Sequence, residues 1–358
     1  MSHLAPSPAA LDAATAVGYP ATMTAAVYRR FGGPDVVRIE ELPTPRPRGG
    51  EVLVRVHAST VSAADHRSRT KDVPRGLALP SSLMLGIFRP RRKILGMDIA
   101  GVIEAVGDDV TAFAPGDEVI AMLGARFGGH AQYVTIPQGG PIAKKPRNMS
   151  FEESAALVFG GVTARAFLDR ARVRPGSTVL VNGASGAVGT AAIQLAKLAG
   201  AHVTGVTSRG NAALVSSLGA DRVIDYAAAD FTTEGRTYDV ILDAVGNAQF
   251  GRVAGLINPG GALLQVIGDL GDMVGAGRRS RKSGLAIVAG NVPFTAEQLA
   301  SLVDSAEAGR FHPVIDRTFD LADIAQAHRY VDTGRKRGSV VVRVAHPLPV
   351  VAQAEAGA

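Results

Sequence analysis

Hydrophobic and polar positions follow two different rhythms along this chain. Up to about residue 150 the apolar runs are short and are broken by Gly, Pro and Asp: 24–28, 36–40, 51–59, 100–106, 118–122 and 131–136. That spacing predicts the strands of a small barrel-like β domain. Helical periodicity begins at Ser150-x-x-Glu153, a capping box ahead of Ala155, Ala156 and Leu157. Beyond it, strands are predicted at 179–181, 202–208, 222–226, 238–245, 261–268 and 284–290, alternating with helices such as 211–218, which Gly219 closes. Six strands with crossovers make a doubly wound parallel sheet, so the predicted class is α/β. A helix to about 308, a strand at 314–319, a helix at 321–333 and a last strand at 339–344 return to the mixed texture of the first part.

The most informative stretch is 178–200, which reads as strand, tight turn and helix. Its turn, Ala184-Ser185-Gly186-Ala187-Val188-Gly189, is the dinucleotide fingerprint of a Rossmann sheet with alanine in the first place and Gly183 just before it. Gly186 allows a pyrophosphate to approach the backbone, Gly189 allows helix and strand to pack closely, and the helix N-terminus faces the phosphate charge. The predicted strand 202–208 then ends in Thr207-Ser208-Arg209, with Asn211 beginning the next helix. No carboxylate stands there to bind a ribose 2′-hydroxyl, whereas Ser208 can hydrogen-bond and Arg209 can pair with a 2′-phosphate. The expected cofactor is NADPH.

Composition narrows the chemistry. The 358 residues contain no cysteine, which removes disulfides, thiolate nucleophiles and every zinc site built on sulfur. Net charge is +6, but the basic residues are dispersed, and no nucleic-acid partner is expected. The densest clusters are Arg89, Arg91, Arg92 and Lys93, then Arg278, Arg279, Arg281 and Lys282; each reads as a solvated loop or as a neighbour of an anionic cofactor. No apolar run is long enough to span a membrane, and none is expected as a partner. Residues 1–22 and 346–358 are Ala- and Pro-rich and are predicted to be disordered tails; 1–22 lacks the apolar core of a secretory signal, and a cytoplasmic protein is expected.

Several stretches in this order, Gly-Met-Asp-Ile-Ala-Gly-Val-Ile-Glu-Ala-Val-Gly at 96–107, Gly-Asp-Glu-Val at 116–119, the fingerprint, and Leu-Gly-Ala-Asp-Arg-Val-Ile-Asp-Tyr at 218–226, resemble the medium-chain dehydrogenase/reductases, and among them the zinc-independent quinone oxidoreductases. The resemblance spans about 23–344. It implies a GroES-like catalytic domain over 23–150 and 311–345 enclosing a Rossmann domain over 151–310. It also implies that Thr163, Val245, Ile267 and Gly268 lie near the nicotinamide, that Tyr226 and Arg209 lie near the adenosine 2′-phosphate, and that Ser62 and Asp65 line the catalytic pocket. Ser62 would donate to a developing oxyanion, and Asp65 would orient a water or a ribose hydroxyl. The plainer alternatives are that Asp65 pairs with Arg67 or Arg69 and that Tyr226 is a core aromatic.

Where the family's zinc enzymes carry a His-Glu pair this chain has Met97-Asp98, and Val61-Ser62-Ala63-Ala64-Asp65 stands where their first cysteine falls, so no metal is expected. Without a Lewis acid, reduction of an electron-poor acceptor is favoured over oxidation of an alcohol. The leading expectation is an NADPH-dependent reductase of quinones or α,β-unsaturated carbonyls. An NADP-linked alcohol or aldehyde dehydrogenase and a cofactor-binding protein without turnover are the alternatives. Residues 77–88 are read either as a lid over an apolar substrate or as a packed core helix, and 285–289 as the edge strand of a homodimer.

Overall fold

The computed structural model describes residues 18–290 and 292–346. The chain opens with an antiparallel pair, β1 (Thr22–Tyr28) and β2 (Val37–Pro43). There follow β3 (Glu51–Val61), α1 (Ala63–Thr70), α2 (Ala78–Leu85), β4 (Asp98–Val106), β5 (Glu118–Met122), β6 (Tyr133–Pro137) and β7 (Ile142–Lys144). Next come α3 (Phe151–Ala171), β8 (Thr178–Asn182), α4 (Ala187–Leu198), β9 (His202–Thr207), α5 (Ala212–Ser217), β10 (Arg222–Asp225), β11 (Tyr238–Asp243), α6 (Phe250–Val253) and β12 (Ile257–Gln265). The chain finishes with α7 (Leu270–Ser283), β13 (Ala286–Ala289), α8 (Ala296–Glu307), β14 (Ile315–Asp320), α9 (Ile324–Asp332) and β15 (Ser339–Arg343).

The α/β class is as predicted. Six parallel strands run in the order β10-β9-β8-β11-β12-β13. Val179, Leu180 and Val181 are fully buried, because helices cover both faces of the sheet. Strand order reverses between β8 and β11, which opens a crevice at their carboxyl ends. The other sheet runs β14-β15-β3-β4-β5-β7, with β6 also on β3. Its β15 pairs antiparallel to β3, Val340 opposite Val61 and Arg343 opposite Ala58, so the end of the chain completes the sheet that its beginning started.

Helix α3 joins the two halves. Ser150 caps it with Glu153 as predicted, and it is apolar on nearly every side because it lies between the sheets. At Gly160 it meets α4 so closely that a Cβ would overlap the carbonyl oxygen of Ala187.

Two expectations are corrected. The tail predicted over 1–22 is ordered at its described end: Tyr19 is buried with its ring centroid 6.3 Å from that of Tyr133, and β1 starts at Thr22, while residues 1–17 lie outside the described residues. At the other end His346 Nε2 lies 2.7 Å from the Val56 carbonyl, and 347–358 fall outside the described residues. The stretch 77–88 is not a core helix. Only Leu85 of α2 is buried, and Leu79, Leu83, Met84, Ile87 and Phe88 are exposed.

Candidate active site

A cleft of about 1220 Å³ runs along the carboxyl ends of the parallel strands and beneath the catalytic domain. The fingerprint forms one wall. Gly186 is the N-cap of α4 and supplies no side chain, so the first N–H groups of that helix face the cleft uncapped. A Cβ at Gly189 would overlap the Gly183 carbonyl, which is the close packing predicted for that glycine. At Gly186 the nearest atom to such a Cβ is 3.6 Å away, so the space before it is open. Ser185 Oγ accepts from Thr207 Oγ1 at 2.9 Å and from Asn211 Nδ2 at 3.1 Å, which ties the turn to the end of β9.

Buried Asp243 organises the next wall. Its carboxylate accepts from Asn182 Nδ2 (2.9 Å) and from the N–H groups of Val245 and Gly246 (both 3.0 Å) and Ala248 (2.8 Å). Three backbone donors and one amide satisfy a charge that would otherwise be costly to bury, and they fix the turn that presents Val245.

Thr163, Ser185, Gly186, Ala187, Val188, Gly189, Ser208, Asn211, Tyr226, Val245, Ile267 and Gly268 all line this one cleft. Ala184 is buried beneath the turn, and Arg209 is exposed between the lining residues Ser208 and Gly210. Tyr226 is 65% exposed, which removes the core-aromatic alternative.

Ser62 and Asp65 are not in the cleft, which corrects their placement there. Ser62 is the N-cap of α1 and accepts from the Asp65 N–H (3.3 Å), while Asp65 Oδ2 accepts from the Ser62 N–H (2.8 Å) and hydroxyl (2.6 Å). The other carboxylate oxygen of Asp65 accepts from the Gly96 N–H at 2.8 Å, and both residues are buried. Arg69 pairs instead with Asp332 at 2.6 Å. The pair is a capping box that also pins the loop leading into Met97. What reaches the cleft from α1 is Ala63, Ala64 and Arg67.

Asp98 is fully buried and faces Thr60, accepting from its N–H (2.8 Å) and hydroxyl (2.6 Å); burial pushes its carboxyl up to about 7. Met97, not Asp98, lines the cleft, together with Met122, Phe159, Phe167 and Phe294. This wall is apolar and, with Thr163, faces the Val245–Gly268 end of the fingerprint side.

The match to known proteins follows the same division. Residues 48–147 match the alcohol dehydrogenase GroES-like domain, and 218–342 match the zinc-binding dehydrogenase family. A 2-methylene-furan-3-one reductase of Solanum lycopersicum is 31% identical over 95% of this chain and 83% of its own. The chain belongs to the medium-chain dehydrogenase/reductases, in their quinone oxidoreductase-like group. The NADPH-dependent alkenal/one oxidoreductase of Arabidopsis thaliana is 30% identical, over 95% of this chain and 84% of its own. The solved quinone oxidoreductase from Coxiella burnetii superposes with a TM-score of 0.78 at 28% identity, covering 90% of this chain and all of that one. Like other medium-chain dehydrogenase/reductases, the protein is a nicotinamide-dependent oxidoreductase.

The sequence reading missed one part of this medium-chain dehydrogenase/reductase site. Gly334, Arg335, Lys336 and Arg337, just before β15, line the cleft opposite the fingerprint. Gly338 bridges to Gly186, and its N–H donates to the Ser185 carbonyl at 2.8 Å. Lys336 Nζ donates to the Gly338 carbonyl at 2.7 Å, and burial pushes its ammonium down to about 8. Arg252 and Asp230, paired at 2.6 Å, close the Tyr226 end.

Proposed function

We propose that this chain is a zinc-independent reductase that uses NADPH to deliver hydride to a quinone or an α,β-unsaturated carbonyl, working in the cytoplasm as a homodimer paired through β13. One observation carries the reading: a single cleft joins an open fingerprint cradle to an apolar wall of Met97, Met122 and Phe159. The names of its relatives, reductases of quinones and enones, support it.

The donor set argues against zinc even though one matching family is described as zinc-binding. The chain has no cysteine, and the described residues contain no group of three or more His, Asp or Glu side chains able to hold a metal. At this end of the cleft stand Ala63, Ala64 and Met97, and the carboxylate next along the chain, Asp98, is turned to Thr60. A thioether and two methyl groups do not make a zinc site. No step runs through a metal.

The residues do fit the dinucleotide. The uncapped N–H groups of α4 hold the pyrophosphate charge, and the open space at Gly186 receives it. Ser208, Asn211 and Tyr226, with Arg209 beside them, take the 2′-phosphate end. Thr163, Val245, Ile267 and Gly268 hold the nicotinamide end against the apolar wall. Bound NADPH supplies the hydride. Met97, Met122 and Phe159 exclude water from that end and seat an apolar acceptor, so contact and orientation do most of the work. The oxyanion formed on the acceptor takes its proton from solvent.

Initial rates of NADPH oxidation, with NADH in parallel, against phenanthrenequinone and a short enone, with and without a chelator, test this. Chelator-resistant NADPH consumption is the expected result. Turnover of simple alcohols that a chelator abolishes would replace the reading with an alcohol dehydrogenase, and tight NADPH binding with no consumption of any acceptor would replace it with a binding role.

A further inference from the structure

Outside the cleft, α2 and the turn after it gather five exposed large apolar side chains. Leu79 is 72% exposed, Leu83 55%, Met84 57%, Ile87 57% and Phe88 90%. These side chains do not dangle. The Arg91 N–H donates to the Leu85 carbonyl (2.8 Å), Gly86 takes a φ of 112° in a turn too tight for a Cβ, and Lys71 Nζ donates to the Ile87 carbonyl (2.6 Å). A braced turn therefore holds Ile87 and Phe88 at its tip. An apolar patch of this kind on a soluble surface marks an interaction site.

Its setting says with what. Arg89, Arg91, Arg92 and Lys93 follow directly and are all exposed, and Arg75 is exposed on the approach to α2. In the whole stretch 67–93 there is one acid, Asp72, against eight basic residues, of which buried Arg69 is paired with Asp332; Glu40, an outside acid that feels Lys93, is already held by Arg29. Between the patch and the sheet, a cavity of about 240 Å³ is lined by Arg91 and Arg92 with Tyr28, Met84, Leu85 and Phe127. Two arginines lining a cavity beside Met84, Leu85 and Phe127 suit a phosphodiester with a hydrocarbon chain attached.

We propose that this face docks peripherally on an anionic lipid bilayer, with Ile87 and Phe88 entering the interface and the arginines binding lipid phosphate. Among the described residues no helix is long and apolar enough to span the bilayer. A second copy of the chain is the poorer occupant, since a symmetric pairing of this patch sets the basic cluster against itself. Peripheral docking differs from the expectation of no membrane partner, which rested on spanning length alone. It is independent of which acceptor is reduced.

Flotation of the full-length protein with vesicles tests it. Vesicles with about 30 mole per cent phosphatidylserine should carry the protein at low salt, and neutral phosphatidylcholine vesicles at least about tenfold less. Raising salt from about 50 to about 500 mM should release it. Phe88→Asp and the double change Arg91→Glu/Arg92→Glu should each lower partition at least about tenfold while melting temperature and NADPH affinity stay at wild-type values. Absence of flotation with anionic vesicles, or flotation that both variants leave unchanged, overturns the proposal. So does a wild-type dimer that Phe88→Asp splits without any vesicle binding.

Discussion

Arg209 stands exposed at the end of β9, in no ion pair among the described residues, beside a cleft end lined by Ser208, Asn211 and Tyr226. If it faces a 2′-phosphate, Arg209→Asp puts like charges together and weakens NADPH by about tenfold while sparing NADH. Paired titrations of the two cofactors check this, and equal losses would remove Arg209 from cofactor selection. The same scale shows where sequence reading succeeds and fails. The fingerprint was legible because its chemistry is local: strand, small residues and helix N-terminus are contiguous. Ser62 and Asp65 were misread because Ser-x-x-Asp is also a capping signature, and a donor and an acid three apart look alike in a helix cap and in a pocket. Lys336 was invisible for the opposite reason. Its neighbour Gly338 meets Gly186 only after the chain has folded back across both domains.

At the scale of elements, strands and helices were readable wherever one pattern was enforced by a neighbouring layer. Thus β8 shows an apolar run and α3 a capped apolar helix, because each is covered on both sides. Helix α2 broke that logic: its apolar residues indicate a core, yet apart from Leu85 they stand exposed among the described residues. The contact of α3 with α4 carries its own prediction. Gly160→Val forces a side chain into the Ala187 carbonyl, so α4 must shift, and with it the N-terminus assigned to the pyrophosphate. Overpacking of this kind costs about 1–3 kcal/mol. Thermal denaturation should show a lower melting temperature, and titration a weaker affinity for NADPH; wild-type values for both would mean that the two helices separate without consequence.

The whole molecule has a pH dependence set by its buried and half-buried imidazoles. Burial lowers His57 to about 4 and also lowers His130, His328 and His346. Each is neutral in the fold but takes a proton in the unfolded chain near the ordinary value of about 6.5. Unfolding therefore binds protons below about pH 6.5, for His57 down to about 4, and this contribution is complete above about pH 6.5 and is lost as pH falls. Asp98, raised to about 7, acts in the opposite sense. Its folded carboxyl keeps a proton that the unfolded one releases near 4, so its contribution declines as pH rises towards 7. Four imidazoles act in one sense and this carboxyl in the other. Melting temperature should fall on acidification from pH 7 to about 4.5, and more steeply in Asp98→Asn, which keeps an acceptor for Thr60 but no longer titrates. A rise in melting temperature over that range would contradict the assignment.

The pairing of β15 with β3 also sets an order of events during synthesis. The chain leaves the ribosome with β3 some 280 residues ahead of β15, so the part of β3 that β6 does not cover, Ala58 to Val61, waits unpaired on that flank while the parallel sheet assembles behind it. Only the last strand closes that flank, and the same return brings Gly338 against the fingerprint. Any nascent chain that stalls before residue 339 has a nucleotide fold whose parts are all present and a catalytic sheet that still lacks the strand linking β14 to β3.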